Sequence, residues 1–299
     1  GPALNWIMKS LAVVLAIVVI VPAAGAQNKR DEYGFAIPSS ALPDGLPHPP
    51  AHFFTAFSYD SVRYLSEIND PEEADAYPWI SPDGLRLYYT SGAQDNQLVF
   101  TRRADTSSFF IPPVVVPLDV PFNNPWSYWL SADELDVYAC NDSLYYAHRN
   151  SVDSAFGTAV LITLNQPFQD VFYRGASLNK AQNTLYIGAN SFTSQVRGIF
   201  EFTRTGPTTF DFVRRLTLPP GFGTQVGQLS KDERTLFLGA AAGTANPLLY
   251  QLTRPTPADT FSVATFEEIQ GINDDALRNI QPTMSDQLIW VAFSRPAES

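Results

Sequence analysis

From about residue 52 onward the apolar positions never recur at the three-to-four-residue interval of a helix. Short runs of β-branched and aromatic residues alternate with polar ones and are broken by Gly, Pro, Asn and Asp, the pattern of short strands joined by turns. The runs repeat. Ser81-Pro-Asp83-Gly84 precedes Leu85-Arg-Leu-Tyr-Tyr89, and Ser131-Ala-Asp133-Glu134 precedes Leu135-Asp-Val-Tyr138. Asn179-Lys-Ala-Gln182 precedes Asn183-Thr-Leu-Tyr-Ile187, Ser230-Lys-Asp232-Glu233 precedes Arg234-Thr-Leu-Phe-Leu238, and Ser285-Asp-Gln287 precedes Leu288-Ile-Trp-Val291. The anchors stand 50, 48, 51 and 55 residues apart.

A strand ending in arginine follows each of the first four anchors: Leu98–Arg103, Leu144–Arg149, Ile199–Arg204 and Leu249–Arg254. A fourth strand closes each unit: Pro113–Leu118, Ala159–Thr163, Asp211–Leu216 and Ala264–Ile269. Four short strands in about 50 residues is the period of a propeller blade. The fifth unit stops after its second strand, and Phe53–Phe57 and Val62–Ile68 belong to no earlier unit. The sequence therefore predicts an all-β chain: a five-bladed β-propeller of four-stranded blades, the last blade completed by N-terminal strands. Such closure removes the open sheet edges of a linear array.

Ser, Pro, Asp and Gly in that order suit a type I turn, and the Asp carboxylate can accept nearby backbone N–H groups. Ser81, Asp83, Gly84, Ser131, Asp133, Ser230 and Asp232 are thus expected to stitch corners, not to catalyse. The Ser-Pro-Asp-Gly-x-x-Leu-Tyr-Tyr stretch, with Tyr77-Pro78-Trp79 before it and Thr101-Arg-Arg103 after it, resembles the WD-repeat-like propeller repeat of bacterial TolB-type proteins. The resemblance covers residues 52–299. It is strong in the first unit, fair in the second and fourth, and weak in the third and fifth, where Asn179 and Ala181 replace Ser and Asp and the last turn is shortened. It implies an exported or periplasmic propeller that serves as a binding platform. TolB proteins carry an additional N-terminal domain that has no counterpart here, so the resemblance does not extend to their partners.

Composition changes the picture at the N-terminus. Lys9 precedes eleven unbroken apolar residues, Leu11–Val21, and Ala24-Gly25-Ala26 closes the stretch, as in a secretory signal peptide cleaved after Ala26. A spanning helix needs about 20 residues. The expected organisation is a signal peptide with an upstream extension over 1–26, a tether over 27–51 with five prolines, and the propeller over 52–299. No stable membrane insertion is expected after cleavage, and the protein is expected in the periplasm or outside the cell. The net charge of −11 repels phosphate backbones and argues against nucleic acid as a partner. Cys140 is the only cysteine, so no internal disulfide forms, and its strand-like surroundings mark it as a buried hydrophobe.

Chemistry is expected at the mouth of the central channel, formed by the innermost strands Tyr77–Ile80, Ser127–Leu130, Arg174–Leu178, Gln225–Leu229 and Gln281–Met284. Those strands and the loops leading into them offer Asp75, Tyr77, Trp126, Tyr128, Asp170, Tyr173, Arg174, Gln225, Arg278 and Gln281. These are flat amphipathic faces and hydrogen-bonding groups suited to a protein partner, a glycan or a peptide. A glycoside hydrolase needs two carboxylates about 5–9 Å apart. The inner strands contain none, and only Asp75, Asp170 and Asp274 could approach from loops. There is no Gly-x-Ser-x-Gly and no His/Cys zinc cluster, the histidines being His48, His52 and His148. Acidic runs at Asn69–Asp75 and Asn273–Asp275 match no defined calcium loop. The expectation is a monomeric binding module with no cofactor, no metal and no catalytic residue. A carbohydrate-active enzyme and a purely structural envelope domain are the alternatives.

Overall fold

The computed structural model describes residues 13–19, 61–68, 75–95, 97–121, 127–141, 143–191, 196–216, 218–219, 222–242, 248–269, 280–284 and 290–296. Among them there is no α-helix, only strands and two 3-10 turns, Gly92–Gln94 and Val263–Thr265. The strands β1 (Val13–Val19) and β2 (Ser61–Tyr64) come first. The first sheet is β3 (Ala76–Ile80), β4 (Arg86–Ser91), β5 (Gln97–Arg102) and β6 (Val114–Val115), in that order. The second is β7 (Ser127–Leu130), β8 (Asp136–Cys140), β9 (Leu144–His148) and β10 (Val160–Leu161). The chain then adds β11 (Thr163–Asn165) in parallel to the outer edge of the third sheet, made of β12 (Val171–Leu178), β13 (Thr184–Ser191), β14 (Arg197–Gly206) and β15 (Thr209–Leu216). The fourth is β16 (Phe222–Leu229), β17 (Thr235–Ala242), β18 (Leu248–Thr253) and β19 (Glu267–Glu268).

The last two strands, β20 (Ile280–Met284) and β21 (Trp290–Pro296), form a sheet in the order β20-β21-β1-β2. Here the structure departs from the expected pairing. The third place, assigned from sequence to Phe53–Phe57, is held by Val13–Val19, which pairs along its whole length with Trp290–Pro296. A run of β-branched and aliphatic residues satisfies a strand slot as readily as it satisfies the core of a leader, because both select for uninterrupted apolar length. Phe53–Phe57 and the tether 27–51 lie outside the described residues. The expected strand Val62–Ile68 is realised as β2 in its first part, while Leu65–Ile68 forms a turn that buries Leu65 and Ile68 against Ile80, Leu87, Tyr89, Val99 and Phe110 of the first sheet.

The innermost strands touch in a cycle: β3 to β7, β7 to β12, β12 to β16, β16 to β20, and β20 back to β3. The arrangement of four-stranded sheets is propeller-like. The core lies between neighbouring sheets. Trp79, Tyr88 and Leu98 pack on Tyr128, Leu130 and Val137; Trp129, Tyr138 and Cys140 pack on Tyr173, Phe200 and Phe202; Tyr186, Ile199 and Leu216 pack on Val226, Leu236 and Leu252.

The corners form as the turn chemistry dictates. Ser81 Oγ donates to Asp83 Oδ1 at 2.5 Å and accepts from Arg86 N, while Leu85 N donates to the same carboxylate. Ser131 with Asp133 and Ser230 with Asp232 repeat the pattern. In the third sheet Asn179 does both tasks with one side chain, its Oδ1 accepting from Asn183 N and Thr184 N. The fourth residue of each corner is left-handed: Gly84 (φ 72), Glu134 (φ 62), Gln182 (φ 53) and Glu233 (φ 58).

That conformation turns each fourth carbonyl toward the arginine that ends the third strand. Arg103 donates to Gly84 O, Arg149 to Glu134 O, Arg204 to Gln182 O and Arg254 to Glu233 O. Each guanidinium also lies over a ring of its own sheet, Phe110, Phe156, Phe210 or Phe261, at 4.4–4.8 Å. Among the described residues, Arg149 reaches Tyr88 Oη, Arg204 reaches Tyr138 Oη and Arg254 reaches Tyr186 Oη of the preceding sheet.

Candidate functional site

The five innermost strands border one small opening, about 20 Å³ in volume. Its lining takes Tyr77, Pro78 and Trp79 from β3, Ser127, Tyr128 and Trp129 from β7, Ala176 from β12, Val226, Gly227 and Gln228 from β16, and Thr283 from β20. Two local features make the walls close. Gly175, at φ 67, brings β12 so near β16 that a Cβ there would lie 1.9 Å from Val226 O. Thr283 Oγ1 accepts from Ile80 N at 3.2 Å and donates to Gln228 Oε1 at 2.6 Å, tying the last sheet to the first and the fourth. Ser177 Oγ accepts from Leu229 N at 2.8 Å, tying the third to the fourth.

Of the residues proposed from sequence, Tyr77 and Tyr128 line this opening. Tyr77 holds a left-handed backbone, φ 59, a costly conformation for a bulky residue and one that gathers at ligand-contacting positions. Burial pushes the Tyr128 phenol well above its ordinary range, so it stays protonated and can donate. Asp75 is buried at 1% exposure just before β3 and is not in the lining. Tyr173 sits in the core between the second and third sheets, its phenol pushed up to about 12 by burial, with the nearby Cys140 adding to it. Gln225 is buried in β16 outside the lining, where Gln228 takes its place. Arg174 is exposed with its guanidinium 5.4 Å over Phe172, and Asp170 is exposed in a left-handed turn. Gln281 lies on β20, and Trp126, Arg278 and Asp274 lie outside the described residues.

Sequence reasoning passed over Trp79, Ser127, Trp129, Gln228 and Thr283. A bulge between Ala76 and Trp79 and the left-handed Tyr77 break the strand alternation, and Trp79 packs in the core against Tyr88, Tyr128 and Leu130. The rest depend on how each inner strand is rotated about its axis, which a single sequence does not encode.

A second polar cluster lies away from the channel. Asp136 accepts from Tyr146 Oη and His148 Nδ1, both at 2.8 Å, and from Gln182 Nε2 at 2.7 Å. Burial alone would raise the Asp136 carboxyl, but the hydrogen bonds from Gln182, His148 and Tyr146 outweigh it and hold it below the usual carboxylate range. The cluster joins the second sheet to the third. Among the described residues no group of three His, Cys, Asp or Glu comes together to hold a metal ion, and no helix is long and apolar enough to cross a membrane.

No family model and no curated protein matches the chain. Solved structures do resemble it. A putative TolB from Agrobacterium tumefaciens is 16% identical, with a TM-score of 0.46 over 91% of this chain and 74% of that one. TolB from Acinetobacter baumannii is 13% identical, with a TM-score of 0.47 over 81% of this chain and 58% of that one. A periplasmic gluconolactonase from Pseudomonas aeruginosa is 15% identical, with a TM-score of 0.44 over 81% and 76%.

Proposed function

We propose that the chain is an exported, non-catalytic binding module that recognises a protein partner, a glycan or a peptide at the mouth of its channel. One observation carries the reading: among the described residues the polar groups lining the opening are aromatic, amide and hydroxyl, beside small apolar residues, and none is Asp, Glu or His. Tyr and Trp give broad contact area with a polar handle, while a hydrolase needs titratable groups facing its substrate. Tyr77 and Tyr128 line the contact surface, with Arg174 and Asp170 at its rim, and Gln281, Trp126 and Arg278 are further candidate contacts from the sequence. Asp75, Tyr173 and Gln225 support it from behind.

The same proposal extends to architecture. The ring closes as five four-stranded blades, with N-terminal chain completing the last, and the protein acts as a monomer. Signal cleavage after Ala26 and the strand role of Val13–Val19 exclude one another in a single molecule. In a cleaved chain another segment must fill the place between β21 and β2, and Phe53–Phe57, four residues before β2, can reach it through a tight hairpin. The mature N-terminus of the exported protein decides between the two.

Binding is tested by immobilising the full chain and measuring capture of soluble cell-envelope glycans and peptides, with Tyr77→Ala and Arg174→Ala as binding variants and Asp75→Asn and Asp170→Asn assayed for glycoside turnover. Capture lost in the first pair, with no turnover in the parent for the second pair to lose, supports the module. Turnover of a glycoside that disappears in the second pair, with folding intact, replaces it by the enzyme reading.

A further inference from the structure

One face of the third sheet passes from core to open surface along its strands. Arg174, Gly188, Ile199 and Leu216 stand in one cross-strand row, and Ile199 and Leu216 pack against Val226, Leu236 and Leu252 of the fourth sheet. The neighbouring row, with Tyr173 and Ala189, packs the opposite way, in the cluster with Trp129 and Tyr138 of the second sheet. Side chains two positions apart share a face. The next row on the Arg174 face is therefore Phe172, Asn190 and Arg197, opposite one another on β12, β13 and β14. Ile199 is fully buried, whereas Arg174 and Arg197 are exposed. β12 borders the channel opening two residues after Arg174, at Ala176, so the exposed end of this face lies at the mouth.

The two arginines converge on one ring. The Arg174 guanidinium lies 5.4 Å over Phe172, and Phe172 shares its row with Arg197, about 10 Å away across two strand spacings. Stacking on a ring fixes the plane of a guanidinium and leaves the N–H donors at its edge. Other arginines have structural tasks. Those that end the third strands donate to corner carbonyls, and Arg86 and Arg214 pair with Glu134 and Glu201. Among the described residues no carboxylate lies within ion-pair distance of Arg197. Asp170 is exposed one residue before β12. Two arginines and one aspartate leave this end of the sheet with one positive charge, in a molecule of net charge −11. An anion is repelled by the molecule as a whole and attracted here.

We infer that Arg174 and Arg197 form an oxyanion site at the rim of the mouth, which takes the carboxylate or phosphate group of a ligand while the Phe172 ring orients Arg174 from behind. The inference rests on the channel-mouth reading above and names the charged group that its ligand carries. The site needs no room inside the opening, because both guanidinium groups are at the surface. Carboxylate and phosphate both match the fork of an arginine, and a neutral hydroxyl gains no charge-assisted bond there.

The test uses the full chain labelled with nitrogen-15, at low salt. The Nε–H signals of the two arginines are identified as those missing from Arg174→Lys and Arg197→Lys. Sodium glucuronate and N-acetylglutamate present a carboxylate, glucose 6-phosphate and inorganic phosphate present a phosphate, and D-glucose presents neither. At least one anion is expected to shift both signals saturably, and the anion that saturates lowest identifies the group. Arg102, exposed at the end of β5 on the first sheet, is expected to stay still. Arg197→Gln is expected to weaken that anion about three- to tenfold at the Arg174 signal, as for one exposed charge-assisted contact, with the melting temperature unchanged. No saturable shift with any anion, an equal response at Arg102 or to D-glucose, or undiminished binding in Arg197→Gln each overturns the inference. Capture of glycans and peptides on the same preparation separates the two readings. Capture that persists undiminished in Arg197→Gln removes the oxyanion site alone, and capture that is absent from the parent removes the binding module.

Discussion

The joints between the first four sheets and the joints of the last sheet are built differently. From the first sheet to the fourth, each joint has an arginine donating to a tyrosine of the preceding sheet: Arg149 to Tyr88, Arg204 to Tyr138, Arg254 to Tyr186. In the fourth sheet the corresponding residue is Phe237, which has no hydroxyl to offer, and the strand beside β21 is Val13–Val19, which has no arginine. Arg103 of the first sheet donates to Gly84 O and Thr106 O and lies over the Phe110 ring. Among the described residues, the last sheet is tied to its neighbours by Thr283, at the channel wall. Among the described residues, deep arginine–tyrosine ties join the first four sheets, and the tie seen at the last sheet is the Thr283 hydroxyl at the channel wall. Loss of a deep, charge-assisted tie should cost more than loss of a neutral hydroxyl at the wall.

The largest effect is expected from removing one deep tie. Arg149→Ala deletes the donors to Glu134 O and Tyr88 Oη, leaves both buried, and removes the cation over Phe156. Two lost charge-assisted bonds and the exposed cavity should cost about 3–5 kcal/mol in urea unfolding. The equivalent loss at Thr283→Val should be nearer 1 kcal/mol, since it removes hydrogen bonds to one neutral hydroxyl. Equal losses would erase the distinction between the joints.

Phe237→Tyr sharpens the comparison from the other side. The side chain is 3% exposed, and a hydroxyl added at that position meets no arginine from β1. The variant should lose about 1–3 kcal/mol by burying an unpaired polar group. A stabilised Phe237→Tyr would mean that the last joint holds a cation after all, and that the difference between the joints is one of residue choice alone.

Much of this was legible before any coordinates. The repeat of Ser, Asp and arginine marked the strand order within the first four sheets, though not the added β11, because a turn residue must stand at a set distance from the strand it serves: Ser81, Ser131 and Ser230 each bond the backbone N–H five residues on. The terminal arginines were visible as a pattern, but their purpose was not. Their partners lie 15–22 residues back in the corner and 61–68 residues back in the preceding sheet, and only the folded spacing brings them together. The third strand of the last sheet was misassigned for a related reason. Val13–Val19 and Phe53–Phe57 both have the apolar length for that place, and length does not choose between them. Of the expected channel residues, Tyr77 and Tyr128 line the opening and Tyr173 lies in the core. Inner strands of a ring alternate faces, so a shift of one residue moves a side chain from channel to core.

A smaller effect tests the joint between the second and third sheets by pH. The Asp136 carboxyl is held below its unfolded value near 3.9, so its contribution is complete above that value and is lost as pH falls through the lower folded one. Asp136→Asn should cost roughly 1 kcal/mol at neutral pH, because Tyr146 and His148 lose a charged acceptor. Below about pH 4 the gap between variant and parent should narrow. A gap that stays constant into acid would show that the charge of Asp136 contributes nothing to the joint.

The smallest effect isolates the left-handed corner itself. Gly84 occupies in the first sheet the position that Glu233 occupies in the fourth, and a side chain at positive φ carries a backbone cost of about 1 kcal/mol that glycine does not. Glu233→Gly removes that cost and loses one exposed hydrogen bond, from Lys180 N to Glu233 Oε1 at 3.0 Å. The two should nearly cancel, leaving stability within about 0.5 kcal/mol of the parent. The same change at Glu134 should not cancel, because its carboxylate is fully buried and accepts from Arg86 Nε at 2.5 Å and Tyr88 Oη at 2.6 Å. Paired urea curves for Glu233→Gly and Glu134→Gly therefore separate the backbone requirement, which all four corners share, from the carboxylate between the first two sheets. If both variants behave alike, the side chain at this position adds nothing to the joint, and the arginine–tyrosine tie must hold those sheets together alone.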